Sequence, residues 1–559
     1  MRHRLPRWYS RLLGLLVLAV IVHEVGFTGG VTPLMRWATA LLVLLFAAEH
    51  AAGLWRAARP ADYARAWAVH VWLAAALLPL MAAALLGAGW LRAHDEKLTL
   101  LLYGLIQGGM LASLGLRFLR RQAQVARLNL RPGWIFMGSF ALLVAGGALL
   151  LKLPRAVEPG HTLSWLDALF TSTSAVCVTG LAVVSTADFF SPTGQVILLG
   201  LIQMGGLGIM TLTYFLTTLL FRGMSLHDRQ VLGEMISEKH LSHVAGSVRF
   251  IVGFTFAAEL LGAALLYHAL PEDRGLAERA FQAVFHSVSA FCNAGFSTLP
   301  AGLADTWTRD NAALQLIICA LVISGGLGAM VARDALAWAR ARLRLARHPA
   351  GPRPRLKIHT RLVLALTAGL VIAGAVLVYL GEFVLTDGQS NGGAWLTALF
   401  HSVTARTAGF NTTDTGAIGP VTVHILVMLM LIGGSPGGTA GGVRTTVFAV
   451  AAMHLWNLFR RRGDLVIFRR RLPAGLGPRA LAVLVLTMGW LFASFALLRQ
   501  LQPGLDDTRL VFELVSAFAT VGLSMNATPD LTSAAKALII LNMFVGRIGL
   551  LTVASTLIP

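Results

Sequence analysis

The stretch Ser174-Ala-Val-Cys-Val-Thr-Gly-Leu181 decides how this chain is read, because it returns three times. Counted back from the glycine, the four versions are Cys177-Val-Thr-Gly180, Cys292-Asn-Ala-Gly295, Arg406-Thr-Ala-Gly409 and Ala519-Thr-Val-Gly522. Leu181, Phe296, Phe410 and Leu523 follow them. Successive glycines are 115, 114 and 113 residues apart, and Phe170, Phe285, Phe400 and Phe512 lead each copy at ten residues' distance, nine in the third. A near-constant period marks a repeated structural unit. Non-helical backbone at membrane depth is tolerated only where it lines a water-filled path or is buried in protein. Carbonyls turned toward a dehydrated cation need unusual dihedrals, which glycine adopts without a Cβ clash. Four such turns predict four loops meeting at one axis; a single one would read as an ordinary loop between helices.

Composition places those loops in a membrane. Of 559 residues 56% are hydrophobic and only 13% are charged, against about a quarter charged in a soluble domain. The formal charge of +20 would suggest nucleic acid if it formed a patch. Here Arg and Lys punctuate apolar runs, which is membrane topology, and no nucleic-acid partner is expected. Cys177, Cys292 and Cys319 lie in apolar segments with neither metal spacing nor a disulfide framework, and read as small packing residues. The basic start Met1-Arg-His-Arg4 leads into an apolar run with no small-residue cleavage motif, so it reads as a retained first helix.

A spanning helix needs about 20 mostly apolar residues. Candidates fall at 11–28, 33–55, 66–91 and 98–118, then in pairs at 134–153 and 193–221, 247–270 and 311–340, 360–386 and 418–459, and 478–499 and 533–558. This gives an all-α polytopic membrane protein with twelve spans. It comprises an N-terminal four-helix extension (1–131) and four tandem helix–pore loop–helix units around a pseudo-fourfold axis (132–223, 224–341, 342–463 and 464–559). Basic clusters precede the first helix and follow the second and fourth; they recur at Arg222, His227-Asp-Arg229, Arg340 to Arg361, Arg460-Arg-Arg462 and Arg469-Arg-Arg471. The positive-inside rule puts all of these, and the N-terminus, in the cytoplasm. Every re-entrant loop then enters from the opposite side.

Each second helix carries glycines below the turn: Gly205-Gly-Leu-Gly208, Gly325-Gly-Leu-Gly328, Gly433 to Gly442 and Gly546-Arg-Ile-Gly549. In the first two, close helix packing is an open alternative to a break. The third, Gly433-Gly434-Ser435-Pro436-Gly437-Gly438-Thr439-Ala440-Gly441-Gly442, cannot stay a regular helix and predicts a mobile loop beneath the turns, a gate. Arg547, mid-helix, must face protein or water. Two roles stay open for it: a barrier touching that loop, or a buried ion pair with Glu259. Arg117, Arg120 and Arg121 cluster at a helix end and anchor topology; they are not a voltage sensor. Glu49-His50 reads as a satisfied helix contact, and His286 and His401 as capping or packing residues. No paired acids, ligand set or nucleophilic dyad marks an enzyme.

The stretches Thr173-Ser-Ala-Val-Cys-Val-Thr-Gly-Leu181, Gln203-Met-Gly-Gly-Leu-Gly208, Ser289-Ala-Phe-Cys-Asn-Ala-Gly-Phe296, Thr404-Ala-Arg-Thr-Ala-Gly-Phe-Asn411, Ser435-Pro-Gly-Gly-Thr-Ala-Gly-Gly442, Val515-Ser-Ala-Phe-Ala-Thr-Val-Gly-Leu523 and Phe544-Val-Gly-Arg547 resemble the Trk/Ktr/HKT superfamily of potassium transporters. The likeness to the bacterial Trk and Ktr membrane subunits covers roughly Pro132 to Thr552. It implies channel-like K+ uptake across the cytoplasmic membrane. The filter residues would be Val178, Thr179 and Gly180; Asn293, Ala294 and Gly295; Thr407, Ala408 and Gly409; and Thr520, Val521 and Gly522. Loop 433–442 and Arg547 would form the constriction. It also implies a homodimer in the lipid bilayer, a cytosolic ring of nucleotide-binding regulatory subunits, and no cofactor in this chain beyond the transported K+. Family members with Ser at the first filter glycine tend toward Na+, so Gly180 favours K+. The chain departs from the pattern at Arg444, where Lys is usual, and at Leu550, where Pro is common. A symporter coupled to Na+ or H+, or a poorly selective K+/Na+ conductor, is the alternative expectation.

Overall fold

A computed structural model describes residues 7–23, 26–27, 33–56, 68–86, 103, 105–107, 109–110, 132–208, 244–272, 275–306, 308–347, 355–385, 393–461, 466–468, 470–473, 475–550 and 552–553. The fourth expected N-terminal span, the cytoplasmic clusters at 222 and 227–229, and the ends of the spans at 193–221 and 533–558 lie largely or wholly outside them. The chain divides into two compact units. The first holds α1 (Arg7–His23), α2 (Pro33–Arg56) and α3 (Ala68–Leu86). Leu13, Val43, Phe46 and Leu77 pack there with Tyr103, Ile106 and Met110. His50 is buried edge-on to Phe46, with ring centres 4.9 Å apart.

The second unit contains a motif that occurs four times. A first helix descends: α4 (Pro132–Leu151), α7 (Val244–Ala269), α11 (Ile358–Tyr379) or α15 (Leu476–Leu501). A shorter helix follows: α5 (Trp165–Val176), α8 (Leu276–Cys292), α12 (Ala394–Thr404) or α16 (Asp507–Ala519). After a turn comes a second helix: α6 (Pro192–Leu207), α9 (Ala312–Leu327), α13 (Pro420–Leu431) or α17 (Ser533–Ile548). Sequence sets these ends. Ser191, Asn311 and Thr532 cap α6, α9 and α17 by accepting from the N–H three residues on, and Ser164 and Asp506 cap α5 and α16.

Three of the described helices, within 246–269, 358–384 and 476–501, are long and apolar enough to cross a membrane; the bent pair α9 and α10 (Ala329–Arg347) makes a fourth. Their apolar side chains face outward: Leu260, Ile372 and Phe492 are 63–75% exposed, as lipid contact requires.

The second helices are not continuous, which corrects the spans expected at 311–340 and 418–459. α9 stops at Leu327, Gly328 takes φ 83°, and α10 leaves at 100°. The segment at 418–459 is α13, an irregular loop, and α14 (Thr445–Phe459). α6 and α17 likewise end on glycines at positive φ, Gly208 and Gly549. Left-handed backbone stops a helix, and only glycine enters it without a Cβ penalty. The packing alternative holds as well: a Cβ on Gly205, Gly325 or Gly546 would collide with the carbonyl of Val176, Phe291 or Phe518 at the end of a neighbouring short helix.

Candidate functional site

Each short helix ends in the same backbone figure. Two residues before the key glycine stands a non-glycine residue in the left-handed region: Val178 (φ 57°), Asn293 (60°), Thr407 (76°) and Thr520 (51°). The glycines follow at φ 93°, 70°, 77° and 94° for Gly180, Gly295, Gly409 and Gly522. Non-glycine residues in this region are uncommon, and each carries a steric cost. Four of them at one register mean that the surrounding structure holds the turns in place.

The holding groups are visible. Hydroxyls from the short helices reach over each turn. Ser174 and Ser516 Oγ accept from the N–H of Gly180 and Gly522, both at 3.0 Å. Ser289 Oγ donates to Phe296 O at 2.8 Å, and Thr404 Oγ1 to Phe410 O at 2.6 Å. All four hydroxyls stand four residues after the leading phenylalanine, so the missing residue of the third copy falls between Thr404 and Thr407, where three steps replace four. Serines lower in three short helices tie them to the first helices: Ser172 donates to Val144 O, Ser287 to Glu259 O and Ser402 to Val371 O. Gly147, Gly262 and Gly374 make that approach possible, since a Cβ on any of them would collide with the serine hydroxyl.

The four turns close on one another. A Cβ on Gly180 would meet Ala294 O, on Gly295 Ala408 O, on Gly409 Val521 O, and on Gly522 Thr179 O. Each glycine therefore lies against the carbonyl that precedes the next glycine, in chain order, and the fourth returns to the first. Lys536 on α17 and Asp167 on α5 also join the last copy to the first, at 2.8 Å. On one side the four glycines line a cavity of about 320 Å³ with Ser297, Asn411 and Ser524.

A second cavity, of about 150 Å³, is lined by Gly208, Gly328, Gly437, Thr439, Arg444 and Arg547. The loop between α13 and α14 enters here and is bonded throughout. Ile432 and Val443 form a parallel bridge at its neck. Ser435 N and Oγ both donate to Gly326 O, at 3.1 and 2.7 Å, and Thr439 N donates to Gly325 O at 3.3 Å. Gly441 lies against the Thr520 side chain, and Arg444 donates to Ser435 O at 3.3 Å.

Arg547 holds the loop from the other side. It donates to Thr439 O through one guanidinium nitrogen and to Gly205 O, at 2.6 Å, through the other. Of the two roles left open for it, the loop contact is present, and the pairing with Glu259 is replaced by bonds to carbonyls. The Glu259 carboxylate is instead engaged by Gln203, at 3.2 Å, and by the Cys292 thiol, at 3.7 Å. Backbone carbonyls at broken helix ends are orphan acceptors, and a guanidinium fork can serve two at once.

Sequence reasoning gave His286 and His401 to capping or packing. They are buried, and each reaches the segment leaving its turn: Ser297 Oγ lies 2.8 Å from His286 Nε2, and Thr413 Oγ1 2.8 Å from His401 Nε2. Sequence reasoning missed their counterpart Glu513, which accepts from Ser524 at 2.7 Å and from Thr528. Its signal was register: Glu513 stands nine residues before Gly522, as His286 stands nine before Gly295. The three cysteines are free and buried.

Known proteins are similar to this chain in sequence and in fold. The family model described as "TrkH: Cation transport protein" matches residues 112–558. The Ktr system potassium uptake protein B of Bacillus subtilis (strain 168) is 35% identical over 446 residues, 78% of this chain and 94% of the relative. The potassium/sodium uptake protein NtpJ of Enterococcus hirae is 33% identical over 438 residues, 77% of this chain and 94% of that one. The crystal structure of the potassium transporter TrkH from Vibrio parahaemolyticus shares the fold, with a TM-score of 0.61 at 18% identity and 99% of each chain covered. Family-model coverage of most of the chain and two relatives above 30% identity agree: the chain belongs to the TrkH family of cation transport proteins.

Proposed function

We propose that this chain conducts K+ into the cell through the ring of four turns, which act as a selectivity filter around a pseudo-fourfold axis. The observation that carries this reading is the closed cycle of glycine-to-carbonyl contacts through Gly180, Gly295, Gly409 and Gly522. Backbone oxygens brought together in this way replace a cation's hydration shell. The filter residues are Val178, Thr179 and Gly180 with their counterparts at 293–295, 407–409 and 520–522. Loop 433–442, held by Arg547, is the gate below. The membrane potential drives uptake, at about 2.3 kcal/mol per charge for 100 mV. Glycine at all four filter positions favours K+, and the Bacillus and Enterococcus relatives are named for potassium and potassium/sodium uptake. The name of the Enterococcus relative also includes sodium, which supports a conductor with limited selectivity as the second reading.

The chain works in the cytoplasmic membrane with its N-terminus inside, as a homodimer. The word "system" in the names of the Ktr relatives supports further subunits, here a cytosolic nucleotide-binding ring. The domain bounds are 1–131 for the N-terminal extension and 132–223, 224–341, 342–463 and 464–559 for the four pore units.

The test is cation flux into proteoliposomes at a fixed membrane potential, with wild type and Arg547→Ala side by side. Potential-driven K+ flux exceeding Na+ flux in either protein is the expected result. Flux that requires a second ion gradient would move the protein to the coupled-symporter class. Silence in both proteins would overturn the conductor reading.

A further inference from the structure

Only one of the four left-handed residues carries an amide. Val178 has no polar side-chain atom, and Thr407 and Thr520 have short ones. Asn293 extends its amide out of the ring in two directions. On one side it meets Thr407 Oγ1 of the next filter turn, at 3.3 Å; on the other it meets Thr439 Oγ1 of the crossing loop, at 3.2 Å. Whichever way the amide is turned, it meets Thr439: turned over, its nitrogen donates to Thr439 Oγ1 at 3.2 Å and to Phe291 O at 3.2 Å.

Thr439 is equally committed. Its hydroxyl also reaches Phe291 O at 3.4 Å, its N–H donates to Gly325 O, and its carbonyl accepts from Arg547. Asn293 is 1% exposed, so these bonds are made in a dry environment where losing one leaves a polar group unpaired.

We infer that Asn293 and Thr439 form a latch that couples the crossing loop to the shape of the second and third filter turns, so that loop position sets ion selectivity as well as passage. When the loop withdraws, the Asn293 amide loses one of its two fixed points. Its backbone, held at φ 60°, is then free to relax. Thr407 loses the orientation of its neighbour. The filter that ions meet with the loop withdrawn is therefore not the filter of the closed form. Asn293 and Thr439 are positioning residues in this scheme. The inference rests on the filter reading above and deepens it.

The experiment measures the ratio of K+ to Na+ affinity of the resting, loop-closed protein by equilibrium binding in detergent for wild type, Thr439→Val and Thr439→Ser, and cation flux in proteoliposomes for wild type and Arg547→Ala. Thr439→Val is nearly isosteric and deletes the hydroxyl; it is expected to change the ratio roughly three- to tenfold, the scale of one lost hydrogen bond. Thr439→Ser is expected to restore the wild-type ratio, which a general packing defect would not allow. A wild-type ratio in Thr439→Val overturns the latch, whatever happens to the flux. So does a shift that Thr439→Ser fails to reverse. Failure of the gate reading is seen separately, as unchanged flux in Arg547→Ala. If Thr439→Val does not fold, Thr439→Ala removes the same hydroxyl and is read by the same ratio.

Discussion

Lys536 Nζ lies 2.8 Å from Asp167 Oδ1, although 369 residues separate the two in the chain. Their side chains are 13% and 20% exposed, so the pair is mostly shielded from water. It ties the last short-helix unit to the first at the one seam where no chain connection helps. Removing one partner leaves the other charge stranded. We expect Lys536→Ala or Asp167→Ala to cost about 2–4 kcal/mol, below the full penalty for a buried pair because both ends keep some water. The exchange Asp167→Lys with Lys536→Asp should recover part of that loss. Thermal unfolding in detergent of the two single variants and the exchange checks this; equal losses in all three would refute it.

Gly180→Ser should lower the K+/Na+ permeability ratio. At φ 93° a side chain is strained, and its Cβ would fall on Ala294 O. The ring must open locally, at about 1–3 kcal/mol of backbone strain. Reversal potentials under K+ and Na+ gradients read the result; an unchanged ratio would show that the ring tolerates the Cβ.

Arg547→Ala should raise flux severalfold, because it releases both Thr439 O and Gly205 O. Shortening Gly437–Gly442 should do the same by removing the obstruction. Gel filtration separates this from misfolding: a monodisperse variant with wild-type flux counts against a gate held by Arg547.

Gly262→Ala should destabilise the second unit by about 1–3 kcal/mol, through overpacking against Ser287 Oγ. Gly253→Ala, nine residues or about two and a half turns earlier on the same helix with nothing near its Cβ, should be neutral or slightly stabilising. Unfolding midpoints of the two variants, compared in one detergent, decide the matter.

Glu513→Gln keeps an acceptor for Ser524 and Thr528, whereas Glu513→Leu leaves the two hydroxyls only each other, 3.3 Å apart, so that one of them loses its acceptor. The leucine variant should lose about 1–3 kcal/mol and the glutamine variant less, since a buried hydroxyl left without an acceptor costs about 1–3 kcal/mol. Equal losses would mean that the hydroxyl contacts contribute little.

The membrane class, the four turns and the crossing loop were legible because each is written locally: apolar runs, a period, and ten residues with six glycines. The partners of Arg547 were not. A guanidinium in an apolar helix suggests a carboxylate, and Glu259 was the available one, yet the acceptors are carbonyls freed where α6 and the loop leave helical geometry. Backbone acceptors leave no mark in side-chain identity. The breaks at Gly208 and Gly328 were legible only in part. Glycines that admit a neighbouring carbonyl, such as Gly205 and Gly325, sit beside glycines that turn the chain, and composition does not separate the two roles. Glu513 was missed because its chemistry differs from that of His286 and His401 while its position matches theirs.

The crossing loop belongs to one of the four copies. It touches the turns or helix ends of the second and fourth copies, and Arg547 links it to the first. A loop of that reach cannot exist four times over, because four copies would compete for one volume. An assembly of four identical chains could not carry it. Four non-identical quarters are therefore a precondition for a single crossing loop; one continuous chain supplies them, and it frees three quarters to be shaped as the loop's socket.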